Sequence, residues 1–138
     1  MERALVLLKP DAYKRKLLGR ITTRLEEKNF KLSYMNLKQF NKEVFEEHYS
    51  HIAHLEIFPE LVSFMASAPV VVMIWEGNDV IAGIRKLMGK TKWLEAEPGT
   101  IRGDFACNTT ENLIHCSDSP ENAEIEIARF IGKHVVTY

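Results

Sequence analysis

Residues 112–119, which read NLIHCSDS, hold the densest group of side chains that could do chemistry. If this stretch contains a strand, His115 and Ser117 point to the same face, because side chains alternate along a strand. Glu126 falls in the second turn of a predicted following helix, from which its carboxylate can reach back toward His115. A carboxylate on one ring nitrogen selects the tautomer and stabilises a positive ring, which makes histidine a usable nucleophile. A histidine near a strand end is also often only packed or hydrogen-bonded, so the residues alone leave both interpretations open.

Two other kinds of site fail on their spacing. Gly89-Lys90-Thr91 resembles the end of a phosphate-binding P-loop, but the first glycine of that motif would fall on Ile84. His48, His51 and His54 recur at every third position, whereas helical zinc pairs favour a spacing of four residues. Steps of three on a helix would also leave the outer two histidines about 120° apart. We therefore predict that the chain has no P-loop and that these three are surface histidines.

The elements that must position these residues are predicted in the order β-α-β-α-α-β-α-β-α. Short apolar or alternating runs predict strands at 4–8, 30–40, 70–75 and 113–115, the second with a bulge where its pattern changes phase at Met35. Apolar stripes predict helices at 12–28, 42–54, 60–66 and 80–88, the first with Asp11 as its N-cap. Ser119 is predicted to cap a last helix that begins at Pro120. Residues 89–112 show no clear periodicity, and an unstructured stretch of this length is typically functional.

Length and composition are those of one ordinary globular domain spanning residues 1–138. Apolar residues make up 46% of the chain and charged residues 27%, and the net charge of −1 gives no general attraction to nucleic acid or anionic lipid. The two cysteines, Cys107 and Cys116, cannot form a disulfide framework and indicate reduced thiols. The longest apolar run, residues 68–75, is too short to span a bilayer. With no room for a signal peptide before the first strand, we expect a cytoplasmic protein without membrane contact.

The NLIHCSDS segment resembles the active-site signature of the nucleoside diphosphate kinases, asparagine-x-x-histidine-glycine-serine-aspartate-serine. Further segments similar to those of the family follow in the right order over essentially the whole chain. They are Lys9-Pro10-Asp11, Glu47-His48-Tyr49, Pro69-Val70-Val71, Trp75-Glu76-Gly77 and residues 98–105 (PGTIRGDF). Each match alone is weak, but together they identify the chain as a member of that family. The resemblance implies a ferredoxin-like α+β sandwich, with a four-stranded antiparallel sheet covered by helices.

The resemblance also implies a reaction and a set of roles. The family moves the γ-phosphate of a nucleoside triphosphate, typically ATP, to a nucleoside diphosphate through a phosphohistidine, in a ping-pong cycle with Mg²⁺ carried by the nucleotide. His115 matches the phosphorylated residue, and Glu126 and Ser117 match the residues that orient it. The matches to nucleotide-binding positions are Lys9, Arg85, Arg102, Thr91 and Tyr49 for the phosphates, Asn112 and Lys9 for the sugar, and Ile57, Leu61 and Thr109 for the base. No metal ligands are expected among the side chains.

The chain departs from the family pattern at four places. Ile57 replaces the usual base-stacking aromatic residue and Thr109 a small apolar one, so we expect weaker nucleotide affinity with tolerance for the base retained. Cys116 replaces a glycine directly after the nucleophile, either as a thiol whose oxidation slows turnover or as a buried apolar-like group. Lys92-Trp93 replaces asparagine-proline in a loop that in the family reaches subunit contacts. A homo-oligomer, hexamer or tetramer, is still what the resemblance implies.

Two alternatives belong to other functional classes. A catalytically silent scaffold protein is compatible with Cys116, Ile57 and Lys92-Trp93, but it would have little reason to keep the matched cations, His115 and Glu126. A nucleic-acid-binding regulator is disfavoured as the main role, because the chain has near-zero net charge and no basic stripe interleaved with aromatic residues. A kinase that transfers phosphate directly would not need His115. The expected partners are therefore nucleoside di- and triphosphates.

Overall fold

The computed structural model describes residues 1–132. In this part of the chain four strands form one sheet: β1 (Glu2–Leu8), β2 (Lys31–Lys38), β3 (Val70–Gly77) and β4 (Ile114–Cys116). Their order across the sheet is β2-β3-β1-β4, and all three neighbouring pairs are antiparallel. A bulge lies in β2 as predicted, but the register shifts between Leu32 and Tyr34, before the expected phase change at Met35. The four predicted strands are therefore confirmed.

Helices cover both faces of this sheet. They are α1 (Pro10–Lys14), α2 (Leu18–Glu27), α3 (Lys42–His48), α4 (Phe58–Ala66), α5 (Val80–Met88), α6 (Ile101–Phe105) and α7 (Pro120–Phe130). With this strand order and these connections, the predicted ferredoxin-like α+β sandwich is confirmed. No helix among residues 1–132 is long and apolar enough to cross a membrane.

The central strands carry continuous apolar runs because both of their faces are covered. On one face, alternate residues of β1 and β3 such as Val6 and Trp75 pack with α2 and α5. On the other face, Leu5 and Leu7 pack with α3, α4 and α7. Phe45 of α3 is fully buried there. Burying apolar surface contributes about 25 cal/mol for each Å² removed from water, so this two-sided packing stabilises β1 in its place at the centre of the sheet. β1 is the strand that pairs with β4 and so fixes the position of His115, which lies opposite Leu7.

Two predicted helices and one predicted N-cap differ from the structure. The helix expected at 12–28 is two helices, because Lys16 adopts the left-handed conformation (φ 59°) and breaks the chain direction. Asp11 is not its N-cap: Pro10 begins α1, Lys9 is the capping position, and Asp11 lies inside the first turn. The helix expected at 42–54 ends at His48 and is followed by a short 3₁₀ turn, Ser50–Ile52.

The stretch 89–112 is more ordered than its sequence pattern predicts. It contains a 3₁₀ turn, Trp93–Glu95, and the five-residue helix α6. Helices this short cannot show a 3.6-residue periodicity, which explains why the pattern missed them. α6 begins where the Thr100 side chain accepts a hydrogen bond from the backbone N–H of Gly103. The cap at Ser119 was predicted, and its hydroxyl accepts from the Asn122 N–H at 3.1 Å.

Candidate active site

A histidine–carboxylate pair forms where β4 meets α7. Nε2 of His115 lies 2.8 Å from Oε1 of Glu126, and the two side chains are 22% and 12% exposed. A carboxylate can only accept, so the ring carries a proton on Nε2 and donates it to Glu126. In the neutral ring the lone pair is then on Nδ1. The pair predicted from the sequence is thus in direct contact, with the tautomer of His115 set by Glu126.

His48 is a member of this site and not a surface residue, which corrects the prediction for the three histidines. Its ring is 7% exposed and packs edge-on against His115, with the ring centroids 4.7 Å apart. Burial, with the neighbouring His115 and Arg129, holds the pKa of His48 well below its usual range, so the ring is neutral. His51 and His54 are exposed as predicted. The helical spacing argument does not apply, because α3 ends at His48 and turns that residue inward.

Lys9 and Asn112 form the second part of the site. Lys9 follows β1, and its Nζ donates to Oδ1 of Asn112 at 2.7 Å, while its backbone N–H donates to the carbonyl of Leu113 at 2.8 Å. Leu113 is buried and adopts a left-handed conformation (φ 78°), a strain that typically costs about 1–3 kcal/mol and clusters at functional sites. Burial and the Arg102 charge lower the pKa of Lys9 to about 8.

Two guanidinium groups complete the positive lining. Arg102 is 6% exposed and donates to three carbonyl oxygens, those of Gly89, Asn112 and Ile114, which tie α6 and the 89–112 stretch to β4. Burial, and the nearby charge of Arg85, lower its pKa to about 10. Arg85 lies on the exposed surface of α5 and donates to the Cys116 carbonyl at 3.0 Å. Both cations are thus anchored to the backbone that carries His115.

These groups line a cleft of about 550 Å³. It brings together most of the predicted site residues: Lys9, Tyr49, Arg85, Thr91, Arg102, Asn112, His115 and Glu126. Tyr49 is buried, and burial raises the pKa of its hydroxyl above the usual range. Four basic side chains line this concave surface together with the ring of His115: Lys9, Arg85, Arg102 and Arg129. Such a surface is suited to an anionic ligand.

Four predicted site residues are not among those that line the cleft in the described part of the chain. Ser117 is fully buried, and its hydroxyl accepts the backbone N–H of Leu5 at 3.0 Å, with no hydrogen bond to His115 or Glu126 within residues 1–132. Ile57 is exposed just before α4, and Leu61 is buried in that helix. Thr109 is exposed in the loop before β4. Their proposed contacts with a base, and the orienting role of Ser117, stay predictions.

The sequence patterns missed Arg129, which lines the cleft from α7. Its Nη1 lies 2.9 Å from Nδ1 of His48, and its Nε lies 3.8 Å from Oε2 of Glu47. Arg129 comes three residues after Glu126, a spacing that places both side chains on one face of a helix. That spacing could have revealed it. His48 could have been found through the Glu47-His48-Tyr49 match.

Cys116 occupies its position as a core residue. Its side chain is 1% exposed and packs in the apolar cluster on the face of the sheet opposite His115. Burial raises the pKa of the thiol to about 12, which keeps it protonated and unreactive at neutral pH. Its φ is not positive, so the backbone here does not need glycine. These features favour the buried apolar-like interpretation over redox regulation.

The comparisons with known proteins agree on one family. The family model described as nucleoside diphosphate kinase matches residues 2–136. A chloroplastic nucleoside diphosphate kinase 2 from Pisum sativum is 52% identical over 93% of this chain, which spans 56% of that relative's length. A nucleoside diphosphate kinase from Symbiobacterium thermophilum is 45% identical over the whole chain and 92% of its own length.

Solved structures give the same result. The apo nucleoside diphosphate kinase from Encephalitozoon cuniculi superposes with a TM-score of 0.97 at 44% identity, covering 100% of this chain and 94% of that one. The halophilic nucleoside diphosphate kinase from Halobacterium salinarum, solved in complex with CDP, superposes with a TM-score of 0.94 at 41% identity, covering 99% and 92%.

Proposed function

Because the chain belongs to the nucleoside diphosphate kinase family of phosphotransferases, we propose that it moves the γ-phosphate of a nucleoside triphosphate, typically ATP, to a nucleoside diphosphate through a phosphohistidine on His115. The observation that carries this proposal is the 2.8 Å contact between Nε2 of His115 and Glu126. This contact leaves the lone pair of the His115 ring on Nδ1, and the ring lines a cleft that also contains Lys9, Arg85 and Arg102. The CDP bound to the Halobacterium relative supports a nucleoside diphosphate as one of the ligands.

In the proposed first half-reaction, the Nδ1 lone pair of His115 forms a bond to the γ-phosphorus, and the bond from that phosphorus to the β–γ bridging oxygen breaks. The nucleoside diphosphate leaves with the electron pair. The ring becomes positive, and its Nε2–H bond to the Glu126 carboxylate stabilises that charge. In the second half-reaction a terminal oxygen of another nucleoside diphosphate attacks the phosphohistidine, and the lone pair returns to Nδ1.

The cations of the cleft serve the proposed transfer by stabilising charge. A phosphoryl transition state spreads negative charge over its oxygens, so catalysis depends mainly on positioning and neutralisation. Lys9 and Arg102 are buried and fixed by hydrogen bonds, which means that they need little reorganisation when the anion arrives. Arg85 is exposed and closer to the solvent side. We assign these three cations to the phosphate chain. We assign Asn112 to the sugar hydroxyls and Thr91 to a phosphate oxygen.

The proposed Mg²⁺ fits this cleft as a companion of the nucleotide. Mg²⁺ prefers oxygen ligands and is usually bound through one or two carboxylates together with substrate phosphates. Glu126 is engaged by His115, and the cations around it disfavour a second positive ion held by protein alone. When bound to the nucleotide, Mg²⁺ would supply further neutralisation of the phosphates. Homo-oligomeric assembly and a cytoplasmic location stay proposals from the sequence, and light scattering of the purified chain tests the first.

The decisive test is incubation of the chain with γ-labelled ATP and Mg²⁺ in the absence of an acceptor, followed by denaturation at alkaline pH. We expect alkali-stable, acid-labile label on the parent chain and on a His54→Ala control, because His54 is an exposed histidine that is not among the residues lining the cleft. His115→Ala should take up none. A nucleoside diphosphate should discharge the label. Absence of label on a folded parent chain would refute the phosphohistidine cycle and favour a catalytically silent family member.

A further inference from the structure

The cleft contains three side chains that could ligate a transition-metal ion. They are His48, His115 and Glu126. Each offers one ligand atom, and these three atoms lie within 4.8 Å of one another. Two imidazoles and a carboxylate are ligands that zinc accepts at about 2.0–2.2 Å, so a small inward movement would close them around an ion. Such an ion would bind the nucleophile itself. The proposed phosphoryl transfer has no use for it, and the site therefore has to keep His115 free.

Arg129 makes His48 a poor ligand. A guanidinium has only donors, so the 2.9 Å contact from Nη1 of Arg129 requires Nδ1 of His48 to be the acceptor. The ring is neutral, and its single proton must then be on Nε2. The Nδ1 lone pair is taken by Arg129, and Nε2 has no lone pair to offer a metal. Ligation through Nε2 would need the other tautomer, which would point an N–H at the guanidinium.

Arg129 is largely buried at the wall of the cleft. Its side chain is 15% exposed, its Nη1 contacts His48, and Oε2 of the more exposed Glu47 lies 3.8 Å from its Nε. It comes from the same helix as Glu126, one turn further on, so the two side chains enter the cleft together. Its fixed positive charge adds to that of Lys9 and Arg102, which repels a dication but not the anionic nucleotide.

We propose that Arg129 is a positioning residue that fixes the tautomer of His48 and so prevents a transition-metal ion from binding to His48, His115 and Glu126. The conclusion that this keeps His115 free for phosphorylation rests on the proposed function. The metal exclusion does not, because it follows from the contact between Arg129 and His48 and from the positive charges of the cleft, whatever reaction the site catalyses.

The test measures Zn²⁺ binding without nucleotide, by competition with a chromophoric chelator. The partner on a histidine's second nitrogen typically changes metal affinity by about 10- to 100-fold, so Arg129→Met should bind Zn²⁺ about that much more tightly than the parent chain. Adding His48→Gln to Arg129→Met should remove the gain. Arg20→Met, which removes an exposed charge from α2, should leave affinity unchanged. Equal affinity of the parent and Arg129→Met, or a gain that survives His48→Gln, overturns the proposal.

A second measurement needs no variant that might fail to fold. Long-range ¹H–¹⁵N NMR of the parent chain reports which nitrogen of His48 carries the proton. We expect Nε2 protonated and Nδ1 unprotonated, and the opposite assignment overturns the proposal. Zinc exclusion in a chain that takes up no phosphate label would refute the proposed function alone. Phosphate label together with equal zinc affinities would refute this inference alone.

Discussion

Replacing Glu126 with glutamine separates the charge of this carboxylate from its hydrogen bond to His115. Oε1 of Glu126 lies 2.8 Å from Nε2, and the two side chains are 12% and 22% exposed. A glutamine amide oxygen can accept the same N–H, so the orientation and the tautomer of the ring should be retained. The negative charge is lost beside a ring that becomes positive when Nδ1 is phosphorylated. We therefore expect Glu126→Gln to slow phosphorylation without abolishing it.

The size of the effect follows from the two kinds of hydrogen bond. A bond to a charged group contributes about 1.5–3 kcal/mol, compared with about 0.5–1.5 kcal/mol for a neutral one. The difference of about 1–1.5 kcal/mol corresponds to a rate about 5- to 10-fold lower. Glu126→Ala removes the acceptor as well and leaves the tautomer of His115 unselected. Its cost of about 3 kcal/mol corresponds to a rate about 100-fold lower.

The assay is single-turnover labelling of the chain with γ-labelled ATP and Mg²⁺, quenched on the millisecond scale. Glu124→Gln is the matched control, because Glu124 lies on the same helix but pairs with Arg3 at the protein surface. It should be labelled at the parent rate. The reasoning fails if both Glu126 variants are labelled as fast as the parent, or if Glu124→Gln is slowed to the same extent.

Three further predictions concern the cleft and its surroundings. Burial lowers the pKa of Lys9 to about 8, so its ammonium is charged below that pH and neutral above it. The kcat/KM for nucleotide should fall as pH rises through about 8. Lys9→Met should have a lower kcat/KM at every pH and should not show this fall. In the native chain a thiol reagent should label exposed Cys107 but not buried Cys116, so Cys107→Ala abolishes labelling; rapid labelling of that variant would contradict the burial of Cys116. Ile57→Phe should tighten nucleoside diphosphate binding by about 1–3 kcal/mol in calorimetry, relative to a Leu55→Phe control, and equal dissociation constants would show that position 57 does not stack on the base.

The sequence by itself determined the strands, the last helix and the chemical identity of the site. β1 and β3 were predictable because strands buried on both faces must be continuously apolar, and α7 because Ser119 and Pro120 form a standard helix start. The NLIHCSDS segment placed His115 at the end of a strand before the helix that carries Glu126, and the contact between His115 and Glu126 follows from a short β4–α7 connection. These features depend on residues close together in the chain, which is what sequence patterns record.

The resemblance predicted most of the groups that share the cleft, but only the tertiary structure decided their contacts and protonation states and added His48 and Arg129 to them. Lys9 and Asn112 are 103 positions apart, and His48 and Arg129 are 81 apart, so no local pattern relates them. The pKa of Lys9 and the neutrality of His48 are consequences of burial, which depends on how helices pack across the sheet. The break at Lys16 and the short helix α6 were likewise invisible to periodicity. The spacing of three histidines was misleading for the same reason: a period describes a helix, and His48 matters because its helix ends there and packs against a distant arginine.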